Sequence, residues 1–110
     1  MSAVSTHVLD TMRGGPAAGI PVRLERAGSG GGLELGRGTT DSDGRISDFG
    51  VASLAEGTYR LVFETGGYLA ADGSAFFPEV VVTFAADGLR PRYHIPLLLS
   101  PYSYSTYRGS

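Results

Sequence analysis

The segment Thr58-Tyr-Arg-Leu-Val-Phe-Glu-Thr65 alternates apolar and polar side chains, which indicates a half-buried β-strand. We expect three of its side chains to face the core: Tyr59, Leu61 and Phe63. Similar short runs recur along the chain between Gly, Pro, Asp and Ser clusters, giving about eight strands with a turn every ten residues or so. This spacing predicts an all-β sandwich or barrel.

The other predicted strands cover most of the remaining chain. They are Val4–Asp10, Ile20–Arg26, Leu33–Thr40, Arg45–Val51, Glu79–Ala85, Arg92–Ser100 and Tyr102–Ser110. Leu33 and Leu35 are expected to form the apolar side of the third strand in the chain. The stretch Gly67–Ala75 lacks alternation and is predicted to contain a helical turn. The 17 glycines, about twice the usual share of roughly 7%, predict many turns between short strands.

Length and composition exclude several classes of protein. The 110 residues fit one domain, 1–110, built around a single core. Nine arginines and no lysine oppose 11 acidic residues, and no arginine cluster forms the basic stripe that nucleic acid binding requires. The absence of cysteine excludes disulfides and thiolate chemistry. The N-terminus has no secretory leader pattern and no apolar window reaches membrane-spanning length, so we expect a cytoplasmic protein without membrane contact.

The two histidines, His7 and His94, are the main candidates for chemistry, because only histidine ordinarily titrates near neutral pH. Each lies on a predicted strand, so a buried, hydrogen-bonded structural role is the alternative. No HxH or HExxH spacing is present, and we predict no metal site. The sequence also lacks a GxSxG nucleophile motif, and the glycines at 28–32 are best explained as a hairpin loop.

The C-terminal segment Ser100-Pro-Tyr-Ser-Tyr-Ser-Thr-Tyr-Arg-Gly-Ser110 is unusually rich in tyrosine and serine. A strand running to its last residue would place polar groups on both faces. Such a strand suits an interface or the lining of a cavity, and a solvated edge strand is the alternative.

Several segments together resemble the transthyretin superfamily. The two signature segments are His7-Val-Leu-Asp10 with Gly14-Gly-Pro-Ala17, and Tyr93-His-Ile-Pro-Leu-Leu-Leu-Ser-Pro-Tyr-Ser-Tyr-Ser105. Three shorter segments are also similar: Thr40-Asp-Ser-Asp-Gly-Arg45, Gly57-Thr-Tyr59 and Phe76-Phe-Pro78. The resemblance therefore spans Thr6 to Ser110.

This resemblance implies a transthyretin-like sandwich of two four-stranded sheets with one short helix. It also implies a homotetramer, a dimer of dimers, with a central channel in which each site combines two subunits. The superfamily has a hydrolase branch and a branch of thyroid-hormone carriers, which have lysine at the position of His7 and threonine at that of His94. Both histidines and the terminal Tyr107-Arg-Gly-Ser110 resemble the hydrolases, whereas Ser103 replaces their usual glycine.

The resemblance thus implies cofactor-free ring-opening hydrolysis of 5-hydroxyisourate, with small-molecule carriage in the same channel as the alternative. We expect His7 and His94 to orient and deprotonate water, and which of them is the base stays open. Arg45 is expected to clamp and polarise the substrate, because its planar fork matches carbonyl and anionic oxygens. Tyr107 is expected to contact the substrate, and Ser110 to bring its side chain and the terminal carboxylate into the site.

Overall fold

The computed structural model describes residues 2–28 and 31–109, which form nine strands and one short helix. The elements are β1 (Val4–Asp10), β2 (Gly15–Pro16), β3 (Pro21–Gly28), β4 (Gly31–Thr39), β5 (Arg45–Ile46), β6 (Gly57–Phe63), α1 (Gly66–Leu69), β7 (Val80–Ala86), β8 (Tyr93–Leu99) and β9 (Tyr104–Thr106). The predicted all-β architecture is confirmed. Within the described ranges, no helix is long and apolar enough to cross a membrane.

The strands form two sheets. One has the order β4-β3-β6-β7, and all its neighbours are antiparallel. The other has the order β2-β1-β8-β9, with β5 also paired to β1. Its central pair, β1 and β8, is parallel, although the two strands come from opposite ends of the chain. This pairing brings the N-terminal and C-terminal signature segments side by side.

The core lies between the sheets and follows the predicted alternation. On β1, Val4, Thr6 and Val8 are buried, while the intervening side chains lie on the outer face. On β6, Tyr59, Leu61 and Phe63 are all at most 2% exposed, as the sequence predicts. Burying a large apolar side chain is worth about 1.5–3 kcal/mol, so these strands fix which face of each sheet points inward.

Three predicted strands differ from the structure. The strand predicted over Arg45–Val51 covers only Arg45–Ile46. Leu35 packs against the core, but Leu33 is 66% exposed. The register of β3 and β4 shifts between Leu24 and Glu25, which places an extra residue on β4 and breaks its alternation. The last strand is also shorter than predicted: Ser100 and Ser103 bond to each other in a turn, and continuous pairing extends only over Tyr104–Thr106.

The short helix α1 begins one residue before the predicted Gly67–Ala75 region and overlaps its start, and it is tied to the end of β1. The Tyr68 hydroxyl of α1 donates a hydrogen bond of 2.6 Å to Asp10 Oδ2. Asp10 Oδ1 accepts the backbone N–H groups of Met12 and Arg13. Asp10 thereby organises the turn that follows β1.

Candidate active site

The outer face of the β1–β8 sheet carries the candidate catalytic side chains. In the strand registers, Ser5 pairs with His94 on one side of β1, and His7 pairs with Arg45 on the other. Directly paired residues share a face, and so do residues two apart on a strand. The sheet therefore brings together His7, Arg45 and His94, which are far apart in the sequence.

Arg45 reaches this face through the tight turn Asp41–Gly44. Gly44 has φ +74°, and its carbonyl oxygen accepts a 2.7 Å hydrogen bond from the N–H of Val8 on β1. A Cβ at this position would clash with the Val8 carbonyl oxygen, so only glycine lets the turn approach so closely.

The carboxylate of Asp41 closes the same turn. Its Oδ1 accepts hydrogen bonds of 2.9 Å from the N–H groups of Arg45 and Asp43. These bonds, the Arg45 bond above all, hold the pKa of Asp41 below its ordinary value. The ionised carboxylate thus fixes the backbone from which Arg45 projects.

His94 is half-buried on β8 and contacts two other segments, strand β1 and the C-terminal tail. Its Nδ1 forms a 2.8 Å hydrogen bond with Ser5 Oγ. Its carbonyl oxygen accepts a 2.8 Å bond from the N–H of Gly109, in an isolated antiparallel bridge. The C-terminal segment therefore passes directly beside His94, which explains how the tyrosine-rich tail reaches the site.

Burial is the main reason that the pKa of His94 lies below its ordinary value, and the nearby charges of Arg45 and His7 lower it further. A backbone hydrogen bond with Ser5 acts in the opposite direction. The net effect favours the neutral imidazole, which is the form that accepts a proton.

Two grooves meet at His94. The larger, about 530 Å³, is lined by Ser2, Ser5, Thr6, Arg45, Ile46, Ser47, Asp48, Arg92, His94 and Gly109. The smaller, about 280 Å³, is lined by Val82, Thr83, Phe84, Ala85, Asp87, Arg90, Tyr93, His94, Ile95, Thr106, Tyr107 and Arg108. A groove of the larger size is within the range of small-molecule sites.

The structure brings some predicted site residues together and separates others. Arg45 and His94 line the larger groove, and His7 lies on the same face beside Arg45. Tyr107 is 58% exposed and lines the smaller groove on the other side of His94. Ser110 lies outside the described residues.

Ser5 and Gly109 are residues of the site that the sequence did not single out. Ser5 carries a signal in retrospect, since it lies two residues from His7 and therefore on the same face of β1. Gly109 belongs to the terminal segment that resembles the hydrolases, but no role was predicted for it, because its contact with His94 arises from the path of the tail. Across the described part of the chain, no cluster of three or more His, Asp or Glu side chains is arranged to hold a metal ion.

The assembled groups suit the addition of water to a carbonyl. A neutral imidazole can accept the proton of water, and a guanidinium can stabilise the negative charge that develops on the carbonyl oxygen. Arg45 is exposed in the groove, and no ion pair holds it among residues 2–28 and 31–109, so its guanidinium is available to a substrate.

The chain is similar to known proteins over nearly its whole length. Residues 4–109 match the model of the HIUase/Transthyretin family. The 5-hydroxyisourate hydrolase of Salmonella typhimurium is 45% identical over 109 residues, covering 97% of this chain and 80% of the relative. That of Caulobacter vibrioides is 44% identical over 115 residues, covering both chains completely.

Solved structures of both functional kinds share the fold. The 5-hydroxyisourate hydrolase of Klebsiella pneumoniae superposes with a TM-score of 0.85 and 39% identity, covering all of both chains. Sea bream transthyretin in complex with thyroxine superposes with a TM-score of 0.87 and 30% identity, covering 97% of this chain and 94% of that one. The backbone is thus equally close to an enzyme and to a thyroxine-binding protein, and side chains must distinguish the two.

Proposed function

The chain belongs to the HIUase/Transthyretin family, and from this premise we propose that the groove containing Arg45 and His94, with His7 beside it, is its catalytic site. The reaction is the ring-opening hydrolysis of 5-hydroxyisourate to 2-oxo-4-hydroxy-4-carboxy-5-ureidoimidazoline. One observation carries the site: the registers of β1 pair His7 with Arg45 and Ser5 with His94 on one face. We treat residues 1–110 as a single domain, in line with the complete coverage of the Caulobacter relative.

The chemistry is the hydrolysis of a cyclic amide. The oxygen of water forms a bond to the amide carbonyl carbon while a histidine removes a proton from the water. The carbonyl oxygen becomes an oxyanion, next to which Arg45 provides a fixed positive charge. The C–N bond of the ring then breaks, the nitrogen takes up a proton, and the carbonyl carbon becomes that of a carboxylate.

His7 and His94 together orient the water, and one of the two removes its proton. Both lie on the outer face of the sheet, and burial lowers the pKa of His94, which favours its neutral imidazole. Arg45 clamps the substrate, because a guanidinium offers two parallel N–H donors to carbonyl or anionic oxygens. The proposal requires no cofactor and no metal.

Tyr107 and Ser110 complete the proposed site from the C-terminal tail. Two described residues of the tail lie near His94: Gly109 bridges to it, and Tyr107 lines the smaller groove together with it. We propose that Tyr107 binds substrate and that Ser110, at the end of the chain, acts beside the histidines.

The side chains favour a hydrolase over a carrier. The backbone does not distinguish the two, but the hydrolase relatives are more similar in sequence, at 39–45% against 30% for the thyroxine-binding structure. An imidazole can carry out proton transfer and an exposed arginine can stabilise the oxyanion, and neither role is of evident use to a carrier. We therefore place carriage of a small molecule second.

We propose that the working molecule is a homotetramer, a dimer of dimers, in which this outer face lines a channel. The outer face is partly apolar, with Leu9 and Leu98 only half-buried. The chain also exposes aromatic side chains near β9: Phe76 is 68% exposed and Tyr102 is 80% exposed. Exposed apolar surface of this kind marks interaction sites.

The expected location is the cytoplasm, and nucleic acid and membrane are not proposed partners.

Ultraviolet spectroscopy tests the proposed reaction and site. 5-Hydroxyisourate is generated in place by urate oxidase, and its decay is followed with and without the purified protein. We expect acceleration by the parent protein and a loss of about 10²–10⁴-fold in His94→Thr, the size of a general-base contribution. His7→Lys is expected to lose activity as well.

The control is Ser53→Ala, an exposed residue in the loop between β5 and β6. All variants are first shown to be folded by circular dichroism and sized by analytical ultracentrifugation. Full activity in His94→Thr would refute the proposed role of His94. No acceleration by the folded parent protein would favour the carrier, which thyroxine titration then tests.

A further inference from the structure

The imidazole of His94 is held along both edges of its ring. On one edge, Nδ1 lies 2.8 Å from Ser5 Oγ, in a partly buried hydrogen bond. On the other edge, Cδ2 faces Gly109, where an added Cβ would lie only 2.5 Å away. Nδ1 and Cδ2 are the two ring atoms bonded to Cγ, so the part of the ring left free is its tip, Cε1 and Nε2.

We propose that Ser5 is a positioning residue that accepts a hydrogen bond from Nδ1–H of His94, which leaves the lone pair on Nε2 and makes His94 the general base. This inference rests on the proposed function and assigns the base that the sequence leaves open. Ser5 itself does not touch the reacting atoms in this scheme. Gly109 completes the positioning by leaving room for the ring on its other edge.

The tautomer follows from the requirement for a base at the free tip. A neutral imidazole carries one N–H and one lone pair, and a serine hydroxyl can pair with either. With Nδ1–H donating to Ser5, Nε2 is the acceptor for a water proton. With Ser5 donating to Nδ1, Nε2 carries the proton and the tip cannot act as a base.

His94 is better suited to this role than His7. The part of the chain that the structure describes provides a hydrogen-bond partner for the ring of His94 and none for that of His7. A fixed partner selects one tautomer and one ring orientation, as in catalytic triads, where a third group orients the base. His7 is left to contact substrate or to donate a proton.

The charged and titratable groups around His94 bear on its pH dependence. On the side of the larger groove they are His7, Arg45, Asp48 and Arg92, and on the side of the smaller groove they are Asp87, Arg90, Tyr93, Tyr107 and Arg108. Arginines outnumber carboxylates on both sides, which favours the neutral imidazole.

Kinetics of Ser5→Ala test the positioning role. We expect kcat to fall about tenfold with little change in KM, because substrate binding is kept while the base populates both tautomers. Ser5→Ala keeps the backbone hydrogen bond with His94 but removes the hydroxyl bond that stabilises the imidazolium, so the acidic limb of the kcat/KM profile should move to lower pH. Ser5→Thr keeps the hydroxyl and should restore the parent profile, and Ser53→Ala is the matched control.

Histidine-selective ¹⁵N labelling tests the tautomer directly, since the chain has only two histidines. A His7→Gln sample assigns the signals. In the parent protein we expect the neutral His94 to carry its proton on Nδ1, and in Ser5→Ala a mixture of both tautomers. Gly109→Ala is expected to lower kcat with Ser5 intact, because its methyl group displaces the ring.

Several results would overturn the inference while the proposed function stands. They are a proton on Nε2 in the parent protein, an acidic limb displaced to higher pH in Ser5→Ala, and kinetics of Ser5→Ala equal to those of the parent. A fall in kcat without a shift of the limb would reduce Ser5 to a structural residue. Full activity in His94→Thr would instead refute the proposed site itself.

Discussion

The close approach of the Asp41–Gly44 turn to β1 gives a prediction that links stability to activity. Gly44→Ala places a side chain at φ +74° and sets its Cβ against the carbonyl oxygen of Val8. Gly14→Ala is the matched control, because Gly14 has almost the same φ, +73°, but no atom within 4 Å of an added Cβ. The pair separates backbone strain from the steric clash.

The magnitudes follow from these contacts. An alanine in the left-handed region costs about 1–2 kcal/mol at either position. Gly44→Ala must also shift the turn, which weakens the 2.7 Å hydrogen bond from Val8 N–H to the Gly44 carbonyl oxygen. Such a bond contributes about 0.5–1.5 kcal/mol, so we expect Gly44→Ala to be about 1 kcal/mol more destabilising than Gly14→Ala.

Urea denaturation at one fixed protein concentration measures the difference, followed by tyrosine fluorescence because the chain lacks tryptophan. The kcat/KM for 5-hydroxyisourate should fall in Gly44→Ala, since the next residue is Arg45, and stay unchanged in Gly14→Ala. Equal destabilisation by the two substitutions would refute the steric part of the reasoning. Full activity in Gly44→Ala would show that the turn does not position Arg45.

Two further predictions concern acid stability and the core. The backbone N–H of Leu89, the hydroxyl of Tyr93 and the N–H of Arg90 hold the pKa of Asp87 at about 2, so its stabilisation is complete above about pH 4 and lost as the pH falls. The melting temperature should therefore fall more steeply between about pH 4 and about pH 2 in the parent protein than in Asp87→Asn. Parallel curves of melting temperature against pH would contradict this. Phe63 is 0% exposed, and Phe63→Ala should lower the free energy of unfolding by about 3–5 kcal/mol. A loss below about 1 kcal/mol in urea denaturation would mean that this part of the core is not closely packed.

The strands that face both the core and solvent were predictable from local pattern. Tyr59, Leu61 and Phe63 alternate because this side of β6 packs against the opposite sheet, while the other side carries Thr58 and Arg60 and, as an exception, the buried Val62. Val4–Asp10 was predicted with the bounds that the structure gives. Leu33 was misplaced because the bulge between Leu24 and Glu25 changes the alternation of the partner strand, and a bulge leaves no clear mark in a single sequence.

The sequence by itself determined the residue types of the site and the elements that carry them: two histidines on strands, and an arginine after an Asp-Gly turn. It did so because alternation and turn chemistry are local properties of the chain. Only the tertiary structure decided that Ser5 contacts His94, 89 residues away, and that Gly109 lies against the same ring. The parallel register of β1 and β8 sets the Ser5 contact, and a register is fixed by the packing of two whole strands against the core. The antiparallel bridge between the C-terminal tail and β8 sets the Gly109 contact.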